Sequence, residues 1–121
     1  MSDARDSSEN VPADMEEYLQ TFLDETEEQL DDLVDTMLAL ENNPENQNDL
    51  NEAFRLVHSI KGSAGMMGFA NMMELAHALE NRFEQFRSGA DRLDEPRMNL
   101  VLRSVDYLRD CNSLLRRGEP V

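Results

Sequence analysis

The stretch from residue 49 to residue 69 reads DLNEAFRLVHSIKGSAGMMGF. Its apolar residues recur at intervals of three and four, which places them on one face of an α-helix that begins at Asp49. They are Leu50, Ala53, Phe54, Val57, Ile60 and Ala64. A helix with a single apolar face is stable when other helices cover that face. This stretch therefore predicts a bundle of helices.

Three more helices are predicted around this one. The first runs from Asp14 to the stop signal Asn42-Asn43-Pro44, the third from an N-cap at Asn71 to a stop at Gly89, and the fourth from about Asp94. Each has the same spacing of apolar residues. They include Met15, Tyr18, Phe22, Leu23, Leu30, Leu33, Met37 and Leu38 in the first, Met72, Leu75, Leu79, Phe83 and Phe86 in the third, and Val101, Val105, Leu108, Cys111 and Leu115 in the fourth.

The fold class follows from these four segments. The chain has few β-branched residues and no period-two alternation, so no strand is predicted. Amphipathic helices joined by short loops predict an all-α, antiparallel up-down four-helix bundle, with room for a short extra helix at the C-terminus. Residues 1–13 are polar and predict a disordered lead-in, residues 14–117 the domain, and residues 118–121 a tail.

Composition excludes several classes of function. The formal net charge is -15, which disfavours nucleic acids and anionic membrane surfaces as partners. The sequence has no phosphate-binding glycine loop, so we expect no cofactor bound by this chain and no ATP site. Two histidines and one cysteine without ligand spacing predict no metal site. The single cysteine, Cys111, is predicted to be a core residue. Because the sequence has one cysteine and no export signal, we expect a cytoplasmic protein.

The second helix carries one residue suited to covalent chemistry. His58 lies on the shoulder of the apolar stripe, with Lys61 at i+3, Gly62 at i+4 and Gly65 at i+7. Each glycine inside a helix costs about 0.5–1 kcal/mol relative to alanine. A bare backbone beside an exposed nucleophile gives a partner's active site close access. Gly62 and Gly65 are therefore predicted to serve partner access.

The chemistry of an imidazole fits such a surface. A neutral ring nitrogen is a nucleophile near neutral pH and can accept a phosphoryl group as a phosphoramidate. Lys61 can offset the charge of that group. If the second and third helices pack side by side, Glu80 can accept the Nδ1 proton of His58 and leave Nε2 free, and His77 can join the same cluster.

The residues alone leave other interpretations open. His58 can be a tolerated surface histidine, and the glycines can serve helix packing. The chain would then be a protein-binding adaptor that is never phosphorylated, or a bundle that imitates a phosphoacceptor surface to inhibit a kinase. Met66 and Met67 are assigned to packing, with a docking patch as the alternative.

A resemblance favours the phosphoacceptor. His58-Ser-Ile-Lys61-Gly62-Ser-Ala-Gly65 with Gly68-Phe69 resembles the H-x-x-K-G motif of histidine phosphotransfer (Hpt) domains, in the form found in CheA-type chemotaxis kinases. Residues 18–25 resemble the family's opening helix. Residues 77–81 resemble the segment that supplies its second histidine and its glutamate.

The resemblance implies roles for these residues and for partners. It makes His58 the phosphoacceptor, Lys61 its electrostatic neighbour, and Glu80 and His77 its orienting partners. The phosphoryl group would come from a CheA-type kinase domain that uses Mg-ATP, and would pass to an aspartate of a CheY- or CheB-like receiver domain in chemotaxis. We expect no autonomous activity from this chain. It corresponds either to the phosphoacceptor part of a histidine kinase or to a free-standing Hpt protein.

Overall fold

The computed structural model describes the backbone of residues 2–121 and the side chains of residues 14–121. Its four helices are α1 (Ser2–Asn42), α2 (Gln47–Met67), α3 (Ala70–Ser88) and α4 (Glu95–Arg116), and the described residues form no strand. Among these residues, none of the helices combines the length and the apolar character that crossing a membrane requires.

The helices pack as an antiparallel bundle in which α1 contacts α2 and α4, and α3 contacts α2 and α4. Across the α1–α4 seam, Arg109 pairs with Asp31 while Arg116 pairs with Asp24, so residue numbers rise in one helix as they fall in the other. The predicted all-α fold is confirmed.

Two predicted helix starts are wrong. α2 begins at Gln47 rather than at Asp49, because the Asn46 side chain already accepts a 2.9 Å hydrogen bond from the Asp49 backbone N–H. α3 begins at Ala70, with Phe69 at the N-cap position and no side-chain cap, so Asn71 lies inside the helix. The turn before α3 is fixed instead by Gly68, whose left-handed backbone (φ 79°) closes α2.

Other boundaries agree with the sequence. α1 ends at Asn42, Gly89 caps α3 in the left-handed conformation, and the Asp94 side chain accepts a hydrogen bond at the start of α4. α1 is bounded by Ser2, whereas a start at Asp14 is predicted after a disordered lead-in. That lead-in, residues 1–13, lies outside the described side chains. The division into residues 1–13, 14–117 and 118–121 stays a prediction.

One hydrophobic core runs between the helices. It contains most of the predicted apolar positions, and Leu40 and Leu56 join it although neither is in the predicted stripes. Met15, Tyr18 and Leu38 are exposed instead. Leu38 follows Met37, so it points about 100° away from the buried face of α1. Cys111 is buried in this core, as predicted, and burial raises the pKa of its thiol.

Candidate functional site

The packing of α3 against α2 brings His58, Lys61 and Glu80 together. One carboxylate oxygen of Glu80, Oε2, contacts His58 Nδ1, and the other, Oε1, accepts a 2.8 Å hydrogen bond from Lys61 Nζ. The side chain of Glu80 is only 10% exposed, against 29% for Lys61 and 61% for His58. A buried carboxylate thus anchors an imidazole that is mostly open to solvent.

The charge state of Glu80 determines what it does to His58. Burial raises the pKa of the Glu80 carboxyl, but hydrogen bonds from Lys61 and His58, together with their charges, lower the pKa by more. The net result is a pKa below its usual range. An ionised carboxylate only accepts hydrogen bonds, so Nδ1 must carry the proton. In the neutral ring the lone pair then lies on Nε2, which makes that nitrogen the nucleophilic atom.

The contact that Lys61 makes in this structure is its hydrogen bond to Glu80. Its ammonium group stabilises the ionised form of that carboxylate and links α2 to α3. The lysine therefore acts on His58 through Glu80 in this arrangement. A direct contact between Lys61 and an incoming phosphoryl group stays a prediction.

His77 lies one turn before Glu80 on α3 and is exposed. Among the described residues, the side-chain hydrogen bonds of the site join Glu80 to His58 and Lys61, and none involves the His77 ring. The structure therefore does not bring His77 into the cluster by a hydrogen bond. Its role as an orienting residue stays a prediction.

The two glycines beside His58 have different surroundings. A Cβ atom on Gly62 would meet no atom within 4 Å, and the residue has no positive φ. Neither packing nor backbone conformation therefore requires glycine at position 62. A Cβ atom on Gly65 would lie 3.2 Å from Met73 Sδ, so Gly65 also permits close packing of α2 on α3. Met66, the residue after Gly65, is 90% exposed, so its assignment to packing is wrong, whereas Met67 packs against the core.

Two side chains that border this site, Phe54 and Arg87, were not predicted as part of it. The ring of Phe54 lies parallel to the His58 ring, and the Arg87 guanidinium lies over the face of Phe54. From the sequence, Phe54 was predicted only as a member of the apolar stripe, and Arg87 only as part of a helix end. The signal available was the four-residue spacing of Phe54 and His58, which puts two rings on adjacent turns.

The sequence of the chain matches one protein family over most of its length. The Hpt domain family model matches residues 17–117. The chain belongs to the Hpt domain family. Among the described residues of this Hpt domain, no group of three or more histidine, cysteine, aspartate or glutamate side chains is arranged to hold a metal ion.

Several relatives of this Hpt domain are chemotaxis proteins. It is 36% identical over 106 residues to the chemotaxis protein CheA of Salmonella typhimurium, which is 88% of this chain and 16% of the relative. It is 35% identical over 97 residues to CheA of Halobacterium salinarum, 80% of this chain and 14% of the relative. The chain thus spans about a seventh of the length of the curated relatives that it matches.

Solved structures agree with the fold. The CheA phosphotransferase domain from Thermotoga maritima superposes with a TM-score of 0.80 at 40% identity, covering 82% of this chain and 94% of that one. A solution structure of the histidine phosphotransfer domain of CheA also gives 0.80 at 40% identity, covering 87% and 80%. A redesigned four-helix bundle, 24% identical with a TM-score of 0.77, shares the fold.

Proposed function

We propose that this Hpt domain carries a phosphoryl group on His58. An ATP-using, CheA-type histidine kinase domain supplies the group, and an aspartate of a CheY- or CheB-like receiver domain takes it, in chemotaxis-type signalling in the cytoplasm. The observation that supports this proposal best is the contact between the buried Glu80 carboxylate and Nδ1 of the exposed His58 ring.

The first step is attack by Nε2 on the γ-phosphorus of ATP. A bond forms between Nε2 and phosphorus, and the bond from phosphorus to the β–γ bridging oxygen breaks, releasing ADP. The ring gains positive charge in this step while Nδ1 keeps its proton. Glu80, already ionised and already in contact with Nδ1, stabilises that charge without any rearrangement.

The second step reverses the bonding at His58. A carboxylate oxygen of the receiver aspartate attacks phosphorus, and the bond between phosphorus and Nε2 breaks. The electron pair returns to Nε2, which restores the neutral ring with its proton on Nδ1. Mg²⁺ and ATP belong to the partner domains in this scheme, so no cofactor bound by this chain is needed.

The surface around His58 suits a partner that must approach closely. Gly62, one turn after His58, leaves open space where a side chain would stand. Both steps require another protein's active site to enclose Nε2, and a bare helix surface permits that approach. A protein-binding adaptor would need neither this clearance nor an ionised, buried carboxylate behind the histidine.

The test is a phosphorylation assay measured by intact mass. The chain is mixed with Mg-ATP and a CheA-type kinase core that lacks its own phosphotransfer domain, and His58→Gln is run beside it. We expect one added phosphoryl group on the unaltered chain only, stable in base and lost in acid. Equal uptake by a folded His58→Gln variant, checked by circular dichroism, excludes His58 as the acceptor.

A further inference from the structure

We propose that Phe54, held in place by Arg87, is a positioning residue that fixes the plane of the His58 ring. This proposal rests on the proposed function of His58 as phosphoacceptor. It adds a determinant of reactivity that lies outside the cluster of His58, Lys61 and Glu80.

The first observation is the relation between two rings on adjacent turns of α2. The planes of Phe54 and His58 are 8° from parallel, and their centroids are 6.2 Å apart. Phe54 is partly buried and packs against the hydrophobic core. His58 is mostly exposed, with one hydrogen bond to Glu80. A ring held by the core therefore lies beside a ring that the core does not hold.

The second observation is that α3 holds Phe54 as well. The guanidinium carbon of Arg87 lies 3.7 Å from the centre of the Phe54 ring, within the range of a cation–π interaction. Arg87 is itself fixed by hydrogen bonds of 2.9 and 2.7 Å to Glu84 Oε1 and by one of 3.4 Å to Asn51 Oδ1. The Phe54 ring is therefore fixed from both helices.

These contacts matter because one hydrogen bond does not fix a ring. The imidazole can still rotate by small amounts about its Cα–Cβ and Cβ–Cγ bonds while the hydrogen bond to Glu80 bends, and that rotation changes the direction of Nε2. Phosphoryl transfer requires Nε2 in line with phosphorus, and a misplacement of about 1 Å can cost roughly a hundredfold in rate. A parallel ring on the preceding turn limits this rotation.

The rival explanation is that Phe54 and Arg87 only stabilise the seam between α2 and α3. Three variants separate the two roles. Phe54→Leu keeps an apolar side chain and removes the ring, Phe54→Tyr keeps the ring, and Arg87→Gln removes the cation. Arg55→Gln is the matched control, because Arg55 pairs with Glu52 at the same three-residue spacing on the exposed surface.

Two measurements on the full chain report positioning directly. The order parameters of the His58 ring C–H bonds, obtained from ¹³C relaxation, give the freedom of the ring to reorient, with the exposed His77 ring as an internal reference. The rate of phosphorylation by phosphoramidate gives reactivity without a docked partner: a bond forms between Nε2 and phosphorus, the donor's nitrogen–phosphorus bond breaks, and ammonia leaves. The midpoint of thermal unfolding gives the structural contribution.

We expect Phe54→Leu to slow phosphorylation by roughly ten- to a hundredfold and to lower the order parameters of the His58 ring at a temperature where the domain stays folded. Phe54→Tyr should retain both properties, Arg87→Gln should fall between, and Arg55→Gln should match the unaltered chain. A Phe54→Leu variant that unfolds earlier but keeps the original order parameters of the His58 ring overturns the proposal. If the unaltered chain takes up no phosphoryl group, the proposed function fails, and the ring measurement still tests the positioning.

Discussion

Lys61 and Glu80 form a 2.8 Å hydrogen bond across the seam between α2 and α3, with the Glu80 side chain only 10% exposed. The lysine is thereby the partner that keeps a buried carboxylate ionised. The same carboxylate contacts His58 Nδ1 through its other oxygen. The stability of this seam and the proposed reactivity of His58 therefore both involve the Glu80 side chain, and substitutions can separate the two.

Replacing Glu80 with glutamine should slow phosphoryl transfer without abolishing it. Glutamine keeps the size of the side chain but removes the charge that stabilises the ring during attack. Removing the orienting partner of a metal-bound histidine typically costs ten- to a hundredfold in activity, and we expect a decrease of that order here. The measurement is the initial rate of phosphorylation by a CheA-type kinase core with Mg-ATP. A rate equal to that of the unaltered chain would remove Glu80 from the mechanism.

Replacing Lys61 with methionine should destabilise the domain. The substitution keeps the aliphatic stem and leaves the buried Glu80 oxygen without its charged donor, which costs about 1–3 kcal/mol. Urea unfolding at pH 7 measures this change. Arg55→Met is the control, since its pair with Glu52 is well exposed and should contribute little.

The double variant Lys61→Met with Glu80→Gln extends this test. It should be less destabilised than the sum of the single variants, because the uncompensated charge is then gone. Strict additivity of the two changes would show that the pair is not coupled.

The contribution of Glu80 to stability should disappear in acid. Its pKa is lower in the folded domain than its usual value, so the unfolded chain takes up this proton first as the pH falls. The stabilisation is complete above about pH 4.3, the ordinary pKa of glutamate, and is lost as the pH drops through the lower folded value.

Urea unfolding of the unaltered chain and of Glu80→Gln between pH 5 and pH 3 isolates this effect, because all other carboxylates are common to both proteins and imidazoles ordinarily titrate above this range. We expect the difference in free energy of unfolding to shrink below about pH 4.3. A difference that stays constant down to pH 3 would show that the pKa of Glu80 is not lowered.

Helix periodicity alone predicted the four helices and the position of His58 beside the core. Periodicity also allowed Glu80 to face His58 if α2 and α3 packed side by side, a packing that the sequence does not show, and the structure has that contact. The start of α3 could not be predicted in the same way. Asn71 is a good N-cap residue by type, but Gly68 and the short link after it determine where the next helix begins.

The contact between Arg87 and Phe54 could not be predicted from the sequence for a different reason. Spacing within one helix predicts which residues share a face, whereas the pairing of residues across a seam depends on how far one helix slides along the other. Side-chain packing sets that register. The Phe54 ring and the Arg87 guanidinium meet because of it, although 33 positions separate them in the chain.

Replacing Gly62 with leucine should block phosphotransfer while leaving the domain at least as stable. A Cβ atom at this position meets nothing within 4 Å, and removing a glycine from a helix interior gains about 0.5–1 kcal/mol. The new side chain would stand one turn from His58, where a partner's active site has to approach. Greater stability with slower transfer therefore separates access from folding, since a folding defect would lower both.

The matched control for Gly62→Leu is Asp106→Leu, which adds the same exposed side chain on α4, a helix that packs against α1 and α3. Transfer from a kinase core and transfer to a receiver domain should both fall by at least tenfold in Gly62→Leu and stay unchanged in Asp106→Leu. Phosphorylation by phosphoramidate should persist in both variants, because that small donor reaches Nε2 without a protein surface. If Gly62→Leu transfers at the original rate with protein partners, the open surface beside His58 is not the docking surface, and its glycine is left without a functional reason.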